Sequence, residues 1–83
     1  MITAKEATQA AIKYFQEVFN GRYDNLAVEE IELSSDEKFW SITLGYNMMS
    51  TMTMLVPTSQ RTYKEFKVSA ESGKVTAMKI HNV

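Results

Sequence analysis

Few residues of this 83-residue chain could do chemistry: one histidine, ten carboxylates and no cysteine. His81 could serve as a general base or a metal ligand. A base needs an acceptor or donor within hydrogen-bond reach, and His81 has no second His, no Cys and no carboxylate at ligand spacing. Folding would have to bring it Glu29, Glu30 or Asp36, and nothing in their positions along the chain does so. It is read as a structural or solvated residue, and no catalytic residue is assigned. Without cysteine there are no disulfide staples, thiolate zinc sites or cysteine nucleophiles.

The carboxylates Glu29, Glu30, Glu32, Asp36 and Glu37 gather in one stretch. A hard cation such as calcium wants several oxygens on one glycine-containing loop, and that spacing is missing. Paired carboxylates for glycoside hydrolysis need a deep cleft, for which so short a chain has little room. The plainer reading is a solvated sheet edge, where charge discourages edge-to-edge pairing. Arg61, Lys64, Lys67, Lys74 and Lys79 make the C-terminal part basic. Spatial separation of the two signs would allow self-association or docking of a charged partner. No metal and no cofactor is expected.

The formal net charge of -1 supplies no field to attract a polyphosphate or an anionic membrane. No glycine-rich phosphate loop or RNA-binding signature accompanies the basic residues, so neither nucleic acid nor membrane is expected as a partner. The opening Met1-Ile2-Thr3-Ala4-Lys5-Glu6 has no basic patch followed by an apolar run, so neither a signal peptide nor a spanning segment is expected. The expected location is the cytoplasm.

The elements that position these residues follow from periodicity. With 45% hydrophobic and 11% aromatic residues, the chain suits one folded domain. Thr3 followed by Glu6 forms a capping box, after which Ala4, Ala7, Ala10, Ala11, Ile12, Tyr14, Phe15, Val18 and Phe19 share one arc of a helix. Asn20-Gly21 ends it with a left-handed cap. Residues 22–25 read as a loop and residues 26–33 as a strand with Ile31 and Leu33 inward. Ala27, Val28 and Glu29 break the alternation, which predicts a bulge or a late start.

Residues 34–37 form a turn by composition. Residues 38–47 read as the strongest strand, with Trp40, Ile42, Leu44 and Tyr46 on one face and Phe39, Ser41 and Thr43 on the other. The next run, 48–60, holds Met48, Met49, Met52 and Met54 and ends near Pro57, which lacks an N–H for a ladder. It is read as a semi-ordered excursion that rejoins the sheet at Arg61 or Thr62. Phe66, Val68 and Ala70 then alternate with Glu65, Lys67 and Ser69, and Ala70-Glu71-Ser72-Gly73 suits a type I turn followed by a left-handed glycine, after which residues 75–80 return.

These segments give an α+β fold: one N-terminal helix packed on a four-stranded antiparallel sheet, in the order α-β-β-β-β. The expected core is Ala7, Ala11, Phe15, Val18, Ile31, Leu33, Trp40, Ile42, Leu44, Phe66, Val68, Met78 and Ile80. One helix leaves the second sheet face partly open, with Phe39, Tyr63, Val75 and Ala77 expected on it.

The helix, the segments Val28-Glu29-Glu30-Ile31-Glu32-Leu33, Phe39-Trp40-Ser41-Ile42-Thr43-Leu44 and Tyr63-Lys64-Glu65-Phe66-Lys67-Val68, and the hairpin Ala70-Glu71-Ser72-Gly73-Lys74-Val75 together resemble a PepSY-like or cystatin-like small α+β domain. PepSY-like domains place a helix before a sheet whose last hairpin carries a similar acidic-x-Gly-Lys-Val turn. The resemblance supplies no catalytic residues, and it implies a non-enzymatic role. PepSY modules belong mostly to exported proteins or protease propeptides, and with neither a leader nor an attached peptidase expected here, the inhibitory role proposed for that family is not expected of this chain.

The expected function is a small non-catalytic interaction or regulatory module. A protein partner or a second copy, as a homodimer, would bind through Met48, Met49, Met52, Met54 and Tyr63, since methionine adapts to varied apolar surfaces. Alternatively Met48, Met52 and Met54 extend the core and Met49 alone is exposed. The alternative function is a small-molecule or peptide-binding domain with a pocket between helix and sheet, lined by Tyr14, Phe19, Trp40 and Tyr46.

Overall fold

The computed structural model describes residues 1–48 and 60–80. Its helix, α1 (Ala4–Phe19), is followed by four strands: β1 (Tyr23–Leu33), β2 (Phe39–Met48), β3 (Gln60–Ser69) and β4 (Val75–Ile80). All neighbouring strands pair antiparallel in the order β1-β2-β3-β4, a plain meander. The fold is therefore the expected helix on a four-stranded antiparallel sheet.

Both ends of α1 are set by sequence. The Thr3 hydroxyl accepts from the Glu6 N–H at 3.1 Å, and the Glu6 carboxylate accepts from the Thr3 N–H at 2.9 Å. Two otherwise unpaired donors of the first turn are thus satisfied, a motif that contributes about 1 kcal/mol. At the other end Asn20 takes the left-handed conformation with φ 48° and its N–H donates to the Gln16 carbonyl.

The core forms where α1 lies over the two central strands. Ala7, Ala11 and Phe15 of the helix meet Ile42, Leu44 and Tyr46 of β2 and Phe66 and Val68 of β3, all buried. The small side chains of Ala7 and Ala11 let the first turns sit close, and Phe15 fills the wider end. Its ring packs 4.5 Å from Phe19, 4.7 Å from Tyr23, 4.7 Å from Tyr46 and 6.3 Å from Phe66, mostly in edge or tilted geometry. Such aromatic pairs add roughly 0.5–1.5 kcal/mol each beyond the area they bury.

Three expected core residues lie outside this zone: Val18 is 48% exposed, Ile31 45% and Ile80 70%. A helix is about 10–12 Å across, whereas three strand spacings take up about 14 Å. One helix therefore covers β2 and β3 and leaves the outer strands half-covered. Ile31 does point to the helix side, opposite Ile42, but on an outer strand. In the last turn of α1, Phe19 takes the inward place through its ring contact with Tyr46 at 5.3 Å, and Val18 does not. Leu33, Trp40 and Met78 are half-buried.

Other corrections come from bulges. Residues 23–25 belong to β1, not to a loop: Asn25 adopts φ 53° and the register slips between Asp24 and Ala27 and again between Val28 and Glu30. A bulge lets the strand start early and still place Tyr23 against Phe15. A third slip, between Lys67 and Val68, skips Thr76, so Val75 faces Val68 and packs on the helix side. It does not lie on the open face. β3 starts at Gln60, one residue before the expected return.

Candidate functional site

The face of the sheet away from α1 is built from the odd-numbered residues of β2 and their cross-strand partners. Reading across the strands, Glu30, Thr43, Glu65 and Lys79 form one row, and Glu32, Ser41, Lys67 and Ala77 the next. In both rows the β1 end is acidic and the lysines lie on β3 or β4, so across these rows the two signs separate from one edge toward the other, with Glu65 as the one acid on the basic side. Phe39 and Tyr63 belong to this face, opposite Ser69 and Gly45. The Lys67 ammonium lies 5.6 Å from the centre of the Phe39 ring, a cation–π approach.

A clasp crosses this face near the Tyr63 end. Arg61 on β3 donates to the Asn25 carbonyl at 2.6 Å and to the Glu29 carboxylate at 3.1 Å, both on β1. The guanidinium therefore spans the strand between them. Gly45 on β2 makes room: a Cβ there would come within 2.9 Å of Glu29 Cγ and 3.0 Å of Arg61 Nη2. Glycine inside a strand marks such a close approach of other atoms. Thr43, two residues earlier, is only 3% exposed, and its hydroxyl has no hydrogen-bond partner among the described residues.

The other acidic residues go separate ways. Asp36 accepts from the Ser34 hydroxyl at 2.6 Å and from the Lys38 N–H at 3.0 Å, which closes the β1–β2 turn. The Ser34 hydrogen bond in particular holds the Asp36 carboxyl below its ordinary value, and the Thr3 backbone N–H does the same for Glu6. A lowered folded value means that each carboxylate adds its stability above the ordinary carboxylate range. That contribution is lost as pH falls through the lowered value. Burial pushes the Tyr46 phenol up. Among the described residues no group of three carboxylates or histidines could hold a metal ion.

Among the described residues, Tyr14, Phe19, Trp40 and Tyr46 do not come together to line the expected pocket. Phe15, Phe19 and Tyr46 fill that space ring against ring, while Trp40 sits at the opposite end, its indole N–H donating to the Ile2 carbonyl at 3.2 Å. A shallow cleft of about 400 Å³ opens elsewhere, between α1 and the β3–β4 hairpin, lined by Ala10, Lys13, Tyr14, Glu17, Lys74 and Val75, with Gly73 at its rim. Only Tyr14 is shared with the expected lining.

Of the expected interface residues, Met48 ends β2 opposite Tyr23 and Gln60, and Tyr63 sits half-buried beside Gly45. Met49, Met52 and Met54, like His81, lie outside the described residues. What the described residues do offer is two free strand edges. On β1, Val28 and Ile31 are half-exposed on the helix side while Glu30 and Glu32 face the other way. On β4, Ile80 is exposed on the helix side, with Met78 beside it and Lys79 on the opposite face. The outer side of each strand pairs with nothing among the described residues. Alternation alone places Glu30, Ile31, Glu32, Met78, Lys79 and Ile80 on the correct faces; Val28 reaches the helix side only through the slip beside it, and the pattern does not show how far one helix reaches.

No protein-family model, no curated protein and no solved structure matches this chain. Among the described residues no helix is long and apolar enough to cross a membrane.

Proposed function

We propose that this protein is a non-catalytic interaction module that accepts an extended segment of another polypeptide along β4. The observation that carries this reading is Ile80: a large apolar side chain, 70% exposed, at the end of an outer strand whose second ladder is unfilled among the described residues. An added strand satisfies the free N–H and C=O groups, while alternate side chains provide selectivity. Next to β4, an apolar residue of the partner would lie beside Met78 and Ile80, and an acidic one beside Lys79. The open sheet face is the weaker candidate, because Glu30, Glu65, Lys67, Lys79 and the Arg61 clasp make it polar. The PepSY-like and cystatin-like resemblance supports a role without catalysis.

The test is a titration with a peptide of about six residues, a typical strand length, that alternates isoleucine and glutamate. The expected result is amide chemical-shift changes concentrated on residues 75–80 of the protein. They should disappear when the peptide backbone is N-methylated on alternate residues, and weaken in Ile80→Lys. Changes that spread over other elements, or none, would overturn the reading.

A further inference from the structure

Residues 30–33 of β1 carry the pattern that β4 would select. Ile31 and Leu33 point to the helix side, Glu30 and Glu32 to the opposite side, and the four pair with β2 in unbroken register. Both β1 slips lie before them, so this is the straight part of the acidic edge. Between Tyr23 and Leu33 there are four acidic residues and no basic one, Asp24, Glu29, Glu30 and Glu32 being the four. From Lys74 through β4 there are two lysines and no acid. The two edges of one molecule thus differ in charge sign while both leave apolar side chains half-covered on the same side.

Strand parity makes these edges compatible. In a four-stranded antiparallel meander the first and last strands run in opposite directions. A second copy displaced sideways, with its helix on the same side, therefore brings its β1 antiparallel to the first copy's β4 without turning over. We propose that a second copy of this chain is the polypeptide that β4 accepts, joined head to tail. This rests on the reading of β4 as a strand-accepting edge. In the register that fits, Leu33 of the second copy lies by Met78, Glu32 by Lys79 and Ile31 by Ile80. Pairing like edges instead would set Glu30 and Glu32 of two β1 strands against each other, and directly opposed like charges destabilise a sheet. A head-to-tail contact does not close on two copies. It continues into a longer assembly or a ring.

Sedimentation equilibrium of the full chain tests this, with Glu32→Lys, Lys79→Glu and their equimolar mixture. Both positions are exposed, and circular dichroism verifies that the variants fold. The average mass of the parent chain is expected to rise with concentration past that of a dimer. Each single charge reversal should shift that rise to about tenfold higher concentration, as an exchanged attraction and repulsion of about 1.4 kcal/mol would. The mixture should recover the parent behaviour, because every contact between the two variants sets one lysine against one glutamate, in the native sense and the reversed sense by turns. A parent chain that stays monomeric, a mass that stops at two copies, or a mixture that fails to recover would each overturn the proposal. Peptide-induced shifts on residues 75–80 together with a monomeric parent chain would leave the strand-accepting edge standing and remove only the second copy as its occupant.

Discussion

In the middle of β2 both faces are buried, but by different means. On one, Ile42, Leu44 and Tyr46 lie under a helix and the rings it carries. On the other, Thr43 and Gly45 are buried although no second layer lies over them among the described residues; at Gly45 the Glu29 and Arg61 side chains reach across from the neighbouring strands. The helical layer removes apolar surface from water, a contribution of roughly 25 cal/mol per Å². The side-chain layer consists of a partly exposed ion pair, which contributes little by itself. Equal burial on the two sides therefore does not mean equal energetic weight.

Cutting the helical layer should have the largest effect. Phe15→Ala leaves a cavity among Phe19, Tyr23, Tyr46 and Phe66, and an expected loss of about 3–5 kcal/mol in unfolding free energy, measured by urea denaturation. A loss below about 1 kcal/mol would mean that the rings do not depend on Phe15. On the opposite face the sign reverses: Thr43→Val keeps the shape and removes an unpartnered buried hydroxyl, and should stabilise by about 1 kcal/mol in the same measurement. Destabilisation would show that the hydroxyl is satisfied in solution. The smallest effect concerns the clasp. A double-mutant cycle with Glu29→Gln and Arg61→Met should give a coupling of about 0.2–1 kcal/mol, and repeating it in Gly45→Ala should give none, since a Cβ displaces the pair. Coupling that survives in Gly45→Ala would show that the pair needs no glycine beneath it.

Much of this arrangement is legible in the order of residues. The capping pair Thr3 and Glu6, the left-handed Asn20, the turn at Asp36 and Gly73 with its φ of 76° are local devices, each set by a few neighbouring side chains. The inward alternation of Trp40 to Tyr46 and of Phe66 to Ala70 is local as well. What escapes a linear reading depends on distance across the sheet. Ile31 and Ile80 have the pattern of core residues, but their exposure is set by the width of one helix against four strands. Val75 changes side because of a slip opposite Val68, and the alternation within 75–80 carries no trace of it. The candidate edges are half legible: their charges and alternation are in the sequence, and their freedom from neighbours appears only in three dimensions. Gly45 is the one signal for the clasp, a glycine within an otherwise strong strand.

The first residues of the chain are fastened to its last hairpin: Ile2 donates its N–H to the Ala70 carbonyl at 2.7 Å and accepts from the Trp40 indole. Closure of that knot requires a loop of nearly the whole polypeptide, the slowest sort of contact for a chain to find. The molecule's sole indole is thereby a built-in fluorophore for the final event of folding. Its emission should settle only after β2 and the β3–β4 hairpin have come together, and a far-ultraviolet signal from the helix can be timed against it in a single stopped-flow experiment.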